Sequence, residues 1–158
     1  MSQESMIATD NPLDADQESA LAAIVGAMIP ASDEYSVPSA ADPTIFADIL
    51  TLVKRHPEPV IEALEALEAL ANSRHSTGFN ALDDEAKAAT LETFRQSATP
   101  HLRAIVSMTA QCYYRDDRVM ASLGMEPRPP FPKGFEVEQG DLSLLDPVRA
   151  RGRIWREA

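Results

Sequence analysis

The side chains that could bind a metal or act as nucleophiles are three histidines and one cysteine. None of His56, His75 and His101 stands in the helical i, i+4 pair around a glutamate that zinc metalloproteases use. We expect His56 and His101 at helix starts and His75 in a loop, which favours surface or capping roles over metal binding. Cys112 is expected on the inner face of a helix, where Arg115 would point elsewhere and could not stabilise a thiolate.

Glu62, Glu65 and Glu68 recur at intervals of three residues and form a second pattern that could do chemistry. Di-iron helix bundles combine such carboxylates with Glu-x-x-His pairs on facing helices, and this sequence contains no Glu-x-x-His. It also contains no glycine-rich phosphate loop and no Gly-x-Ser-x-Gly elbow. The sequence therefore predicts a solvated acidic face, and no catalytic, cofactor-binding or metal-binding residue in this chain.

The elements that carry these residues are predicted to be helices, because apolar residues recur at helical spacing and no alternating strand pattern is found. Each predicted helix begins at a capping residue or at a proline that fits a first turn. The five starts are Asp14 with Gln17, Asp42 with Pro43, Pro57 with Pro59, Asp83 to Glu85, and Thr99 with Pro100. A short helical turn is expected through Val119 and Met120 until Gly124. The predicted fold class is an all-α bundle of about five helices.

Helical spacing of apolar residues predicts a core-facing side for each of the five helices. The fourth helix is expected to bury Ala86, Ala89 and Phe94. The fifth is expected to bury Leu102, Ile105, Val106, Thr109, Cys112 and Tyr113. Gly26, isolated within the first helix, is expected to allow close packing of another helix.

Residues 126–158 differ from the rest of the chain. Prolines at positions 127, 129, 130 and 132 disfavour a helix interior and favour an extended course. The same stretch carries large apolar side chains, which an extended segment cannot bury within itself. We therefore predict a flexible lead (1–12), a helical bundle (13–125) and an extended, proline-rich C-terminal arm (126–158) that lies on a partner.

Partner-binding residues are expected in this arm and at the corner where it leaves the bundle. Arg115 and Arg118 flank two aspartates, and they could form a solvated ion-paired turn or fix the arm to the bundle or to a partner. Aromatic and arginine side chains are frequent interface anchors. The predicted partner-binding residues are Tyr113, Arg115, Arg118, Pro130, Phe131, Phe135, Leu145 and Trp155.

The charge is distributed unevenly along the chain, whose net charge is −11. Residues 1–114 hold 6 cationic and 17 acidic side chains, whereas residues 115–158 hold 8 of each. No basic face is evident, so nucleic-acid binding is not expected. The acidic half is either a solvated surface or a means of steering the chain toward a basic partner.

The sequence also bears on membranes and location. No apolar run reaches the length of about 18 residues that a transmembrane helix needs, so direct membrane insertion is not expected. Residues 1–16 contain no cation, so they do not encode a secretory signal of the usual kind. We therefore expect a cytoplasmic location, and a periplasmic one only if the chain is exported with a partner.

Three stretches, taken in order, carry a resemblance to a known family. The first is Ala-Met-Ile-Pro-Ala-Ser-Asp at 27–33 with the loop through 38–42, and the second is Phe-Asn-Ala-Leu-Asp at 79–83. The third is the tail from Tyr113, with Gly-x-x-Pro-x-Pro-Pro-x-Pro-x-Gly-Phe at 124–135. In their order and spacing, over roughly residues 15–156, these stretches resemble the gluconate 2-dehydrogenase subunit 3 family.

The resemblance implies a non-catalytic small subunit that docks onto and stabilises a large FAD-dependent subunit of the glucose-methanol-choline (GMC) oxidoreductase type. That flavoprotein would oxidise a sugar, a sugar acid or another alcohol, and a cytochrome c subunit often receives the electrons. FAD would belong to the partner, and this chain would hold no cofactor. Many members of the family carry a twin-arginine export signal, which residues 1–16 lack.

Two alternatives stay open on the sequence. The chain could be a stand-alone helical binder of a small ligand, in which the arm folds back and closes a pocket. It could also be a homo-oligomeric structural protein whose copies exchange their arms.

Overall fold

The computed structural model describes residues 11–97, 100–127 and 140–152. These residues contain seven α-helices, which are α1 (Ala15–Met28), α2 (Pro43–Val53), α3 (Glu58–His75), α4 (Asp84–Gln96), α5 (Pro100–Tyr113), α6 (Asp117–Ser122) and α7 (Asp146–Ala150). Two 3₁₀ turns, Phe79–Ala81 and Leu142–Leu145, precede α4 and α7. The one extended pairing in the described residues is an isolated bridge between Ser32 and Val37. The fold is all-α, as predicted, with five longer helices followed by two short ones.

The predicted helix starts are present wherever they can be described. Gln17 N donates to Asp14 Oδ1 over 2.8 Å, and Asp14 N donates to Gln17 Oε1 over 3.1 Å, which completes a capping box. Asp42 and Asp83 each accept a backbone N–H from the first turn of α2 and α4. These bonds satisfy donors that a first helical turn leaves without an intrahelical acceptor. The predicted cap at Thr99 lies outside the described residues.

A hydrophobic core holds α1 to α6 together. α5 packs most closely against α3 and α2, while α1 contacts α3, α4 and α5. The largest fully buried side chains include Leu21, Ile45, Ile49, Leu67, Phe79 and Ile105. Each contributes roughly 1.5–3 kcal/mol of burial free energy. Among the described residues, every member of this core lies between Leu13 and Val119.

Three sequence-based expectations are corrected by the packing. Ala89 is exposed and Thr90 is buried, because the core-facing side of α4 runs through Thr90 and Phe94, four residues apart. Val106 is exposed because it lines an open groove beside the core. His75 is the last residue of α3 and not part of a loop, and its Nε2 lies 3.2 Å from Thr90 Oγ1.

Residues 140–152 are partly helical, which corrects the extended course that was predicted for them. Asp141 Oδ1 accepts from Ser143 N over 3.0 Å and from Ser143 Oγ over 2.6 Å, which starts the 3₁₀ turn. Pro147 lies in the first turn of α7, where a proline ring and a missing N–H are tolerated. The prolines at 129, 130 and 132 lie outside the described residues, so the extended course there stays a prediction.

A boundary between two compact units of the chain falls after Pro127. The first unit contains the bundle, and the second contains the 3₁₀ turn and α7. Among the described residues, no helix is long and apolar enough to cross a membrane.

Candidate partner-binding surface

Tyr113, at the end of α5, ties two distant parts of the bundle together. Its side chain is 4% exposed, and its hydroxyl donates to the carbonyl oxygen of Pro38 over 3.2 Å. Burial raises the pKa of the phenol, so the hydroxyl stays a neutral donor. The structure therefore places Tyr113 inside the bundle, as a fixing point for the loop before α2. Its predicted role toward a partner stays a prediction.

Arg118 joins the start of α6 to the start of α2. Its Nη2 lies 2.8 Å from Asp42 Oδ1 and 2.9 Å from Asp116 Oδ2. Both aspartates are N-cap residues, so one guanidinium connects two helix starts. Hydrogen bonds from Arg118 lower the pKa of both carboxyl groups and raise the pKa of Arg118 itself. Arg118 therefore holds this corner of the bundle together, and its role toward a partner stays a prediction.

The loop between α1 and α2, which we call the α1–α2 loop (residues 29–42), is closed by its own hydrogen bonds. Ser32 N and Val37 N each donate to the other residue's carbonyl oxygen over 3.0 Å. Ser39 Oγ donates to the carbonyl oxygen of Ile29 over 3.2 Å. Together with the bond from Tyr113, these contacts fix the course of a loop that has few buried side chains.

Gly26 of α1 lies against the same loop. A Cβ atom at this position would lie 3.3 Å from Ala41 Cβ and 3.7 Å from Ser39 Oγ. The close approach predicted for this glycine is present, but the neighbour is the α1–α2 loop and not another helix.

An open groove of about 550 Å³ runs between α1, α4 and α5. Its apolar lining includes Ile24, Met28, Leu91, Phe94, Leu102 and Val106. At its edge, Arg95 donates to both carboxylate oxygens of Glu92 and lowers the pKa of that carboxyl to about 2. The groove could accept a small apolar ligand or an apolar segment of a partner.

Residues 140–152, which we call the C-terminal segment, present apolar side chains to solvent. Leu142, Leu145 and Val148 are 55%, 44% and 54% exposed, and Leu144 is 75% exposed. Leu142, Leu145 and Val148 recur at intervals of three, so they follow one side of the 3₁₀ turn and α7, while Leu144 lies off that side. None of the described residues of this segment is buried. A short helical stretch with an apolar side is typical of peptides that bind in an apolar groove.

A comparison with known protein families matches residues 15–126 to the family described as Gluconate 2-dehydrogenase subunit 3. The matched range covers most of the chain, from α1 to α6. The chain belongs to the gluconate 2-dehydrogenase subunit 3 family. The resemblance noted in the sequence is thereby confirmed. No curated protein and no solved structure matches the chain.

Membership of the subunit 3 family makes the chain a component of a dehydrogenase complex and implies a partner subunit. The matched range contains the corner formed by Tyr113 and Arg118 and the whole α1–α2 loop. It ends before the C-terminal segment, so the exposed leucines of that segment lie beyond the part that the family match covers.

Several side chains with catalytic potential have structural roles in this member of the subunit 3 family. His101 Nδ1 lies 2.7 Å from Glu62 Oε2 and joins α5 to α3. Glu68 Oε2 accepts from Phe79 N over 3.0 Å. Cys112 is buried, and burial raises the pKa of its thiol. In the described part of the chain, histidine, cysteine and carboxylate side chains form no cluster that could hold a metal ion.

The remaining predicted partner-binding residues fall into two groups. Arg115 and Leu145 are exposed, and Arg115 has no ion-pair partner within residues 11–97, 100–127 and 140–152. The others lie outside the described residues; they are Pro130, Phe131, Phe135 and Trp155.

Sequence reasoning missed two residues that the structure singles out. Tyr35 is 67% exposed within the α1–α2 loop. The sequence did contain a signal for this exposure, because a large aromatic residue stands in a loop that otherwise consists mostly of turn-forming residues. Asp42 was predicted as a helix cap, but nothing in the sequence indicated its ion pair with Arg118, which lies 76 residues further along the chain.

Proposed function

We propose that the chain is a non-catalytic small subunit that docks onto and stabilises a large FAD-dependent subunit of the GMC type. The observation that carries the proposal is the exposed apolar side of the C-terminal segment, formed by Leu142, Leu145 and Val148. Membership of a dehydrogenase-subunit family says that a partner exists. The apolar side of the segment supplies a surface by which that partner could be held.

The exposed apolar area of the segment provides a free energy for docking. Moving a leucine side chain from water into an apolar contact contributes roughly 1.5–3 kcal/mol. The segment leaves Leu142 and Leu145 about half exposed, and it buries none of its described residues. Docking against a groove on a second protein would cover these side chains and offset the entropy lost when the segment is ordered.

The contacts of the described residues support assigning the redox chemistry to the partner subunit. Several of the side chains with catalytic potential form structural contacts, as His101 does with Glu62 and Glu68 does with Phe79 N. We therefore propose that FAD is bound by the partner, which oxidises a sugar, a sugar acid or another alcohol. A cytochrome c subunit would be the electron acceptor. This chain would contribute binding and stability to that complex, and no step of the reaction.

The proposal is tested with a double substitution in the C-terminal segment, Leu142→Ser with Leu145→Ser. We expect the affinity for the purified flavoprotein subunit to fall on the order of a hundredfold, because two apolar anchors are lost at roughly 1.5 kcal/mol or more each. Surface-immobilised binding measurements with the large subunit give this value directly.

Leu123→Ser is the matched control, because Leu123 is 57% exposed and lies in the other compact unit. The control variant is expected to bind like the unmodified chain. Equal affinity of the double variant and the unmodified chain would contradict the proposal.

The alternative of a small-ligand binder is favoured by one observation, the apolar groove between α1, α4 and α5. Native mass spectrometry of the chain expressed alone separates the two functions. A stoichiometric bound small molecule would favour the alternative, whereas a bare chain that binds the flavoprotein favours the subunit. A homo-oligomer would show multiples of the chain mass in the same spectrum.

A further inference from the structure

The α1–α2 loop presents one large aromatic side chain directly after two acidic residues. Tyr35 is 67% exposed and follows Asp33 and Glu34, which are exposed as well. Within the described residues, neither carboxylate forms an ion pair. An exposed tyrosine is a common centre of binding energy in protein interfaces, since it combines apolar area with a hydroxyl and few rotatable bonds.

Hydrogen bonds within the loop fix the backbone around Tyr35 in the chain alone. Ser32 and Val37 are bridged by two hydrogen bonds, and Tyr35 N donates to Ser32 Oγ over 3.4 Å. Ser36 has φ of 53°, a left-handed conformation that non-glycine residues adopt at a cost of roughly 1–2 kcal/mol. Ser36 N donates to the carbonyl oxygen of Asp33 over 3.2 Å, which helps to hold that conformation.

Contacts from outside the loop add to this organisation. Tyr113 donates to Pro38, and Arg118 holds Asp42 at the loop's end. The loop is therefore held by contacts with α5 and α6, although residues 33–36 of the loop are all exposed. A loop fixed in this way loses little conformational entropy on binding, which favours a high affinity per contact.

We propose that residues 33–35 form a docking knob that enters a cationic pocket on the flavoprotein subunit. This inference rests on the proposed function, because it names a second contact for the same partner. Charge complementarity identifies the pocket: two exposed carboxylates without an ion-pair partner among the described residues directly precede the exposed tyrosine in the loop. The receiving surface must therefore offer arginine or lysine side chains around an apolar slot of ring size. The acidic excess of residues 1–114 would accelerate the encounter with such a surface.

The test uses the full chain and the purified flavoprotein subunit in a binding titration at several salt concentrations. Tyr35→Ala is expected to weaken binding at least about tenfold, the range of an interface hot spot. Asp33→Asn with Glu34→Gln is expected to reduce the dependence of the dissociation constant on salt. Leu123→Ala is the control, because Leu123 is 57% exposed and lies outside the loop.

The outcomes separate the two proposals. If the unmodified chain binds and Tyr35→Ala binds within about twofold of it, the docking knob is wrong while the proposed function stands. An unchanged salt dependence in the Asp33 and Glu34 variant would also overturn the cationic pocket. If the unmodified chain does not bind the flavoprotein at all, the proposed function itself fails. Circular dichroism of each variant checks that the helices are retained.

Discussion

At the scale of single residues, Tyr113 shows how one buried hydroxyl can organise a surface loop. Its ring is packed in the core, and its hydroxyl reaches Pro38, which is 75 residues away in sequence. The ring also meets Tyr114 edge to face, with centroids 5.4 Å apart. Tyr113 thus connects the end of α5 to the loop that carries the proposed docking knob.

Replacing Tyr113 with Phe removes the hydroxyl and keeps the ring. We expect a loss of roughly 1 kcal/mol in the free energy of unfolding, because the Pro38 carbonyl loses a hydrogen bond while the packing is unchanged. Denaturant titration followed by circular dichroism measures this loss. Tyr114→Phe is the control and should be neutral, since Tyr114 is exposed. An equal stability of both variants would show that the bond to Pro38 contributes nothing.

Sequence patterns could predict contacts between residues a few positions apart. They could not predict contacts between residues that are far apart in the chain. The capping box of Asp14 and Gln17 was predicted because its two members lie three residues apart. Asp42 pairs with Arg118, which is 76 positions away. Helical periodicity in the sequence gives no information about contacts at such a separation. The exposure of Val106 was missed for the same reason, because it depends on which helices cover α5.

At the scale of elements, an ion-pair cluster links the N-termini of α2 and α6. Asp42 and Asp116 cap the two helices, and Arg118 donates to both. The pKa of each aspartate is lowered by these bonds. A lowered pKa in the folded state means that the contribution to stability is present above the unfolded-state pKa. That contribution is lost as the pH falls through the folded-state value.

Arg118→Gln should therefore be less stable than the unmodified chain at neutral pH. The difference should shrink below about pH 4, where aspartates in the unfolded chain take up protons. Thermal unfolding followed between neutral and acidic pH measures the difference. Arg115→Gln is the control and should show no such pH dependence, because Arg115 has no ion-pair partner in the described ranges. A difference that stays constant down to low pH would contradict the assignment.

The helices themselves were largely predictable from the sequence. Each described start carries a cap or a first-turn proline, which is why α1 to α4 began where expected. α7 was missed because Pro147 was interpreted as part of an extended arm, whereas a proline in a first turn is compatible with a helix. The inner face of α4 was shifted by one residue, from Ala89 to Thr90, because the side of α4 that faces the core runs through Thr90 and Phe94.

At the scale of the whole molecule, the core and the proposed binding segment belong to different compact units of the chain. The described core ends at Val119, and the unit boundary falls after Pro127. Deletion of residues 128–158 removes none of the described core residues. The deletion variant is therefore expected to keep its helical circular dichroism and a cooperative unfolding transition. It should lose the binding that the exposed leucines supply.

The most direct test of the account is gel filtration of the chain with its flavoprotein partner, monitored by the absorbance of oxidised flavin. We expect flavin to elute with the full chain when the large subunit is present. The chain alone should carry no flavin and oxidise no sugar or alcohol, and the 128–158 deletion should leave the flavin in a separate peak. Flavin bound to the isolated chain, turnover by it, or undiminished co-elution of the deletion variant would contradict the account.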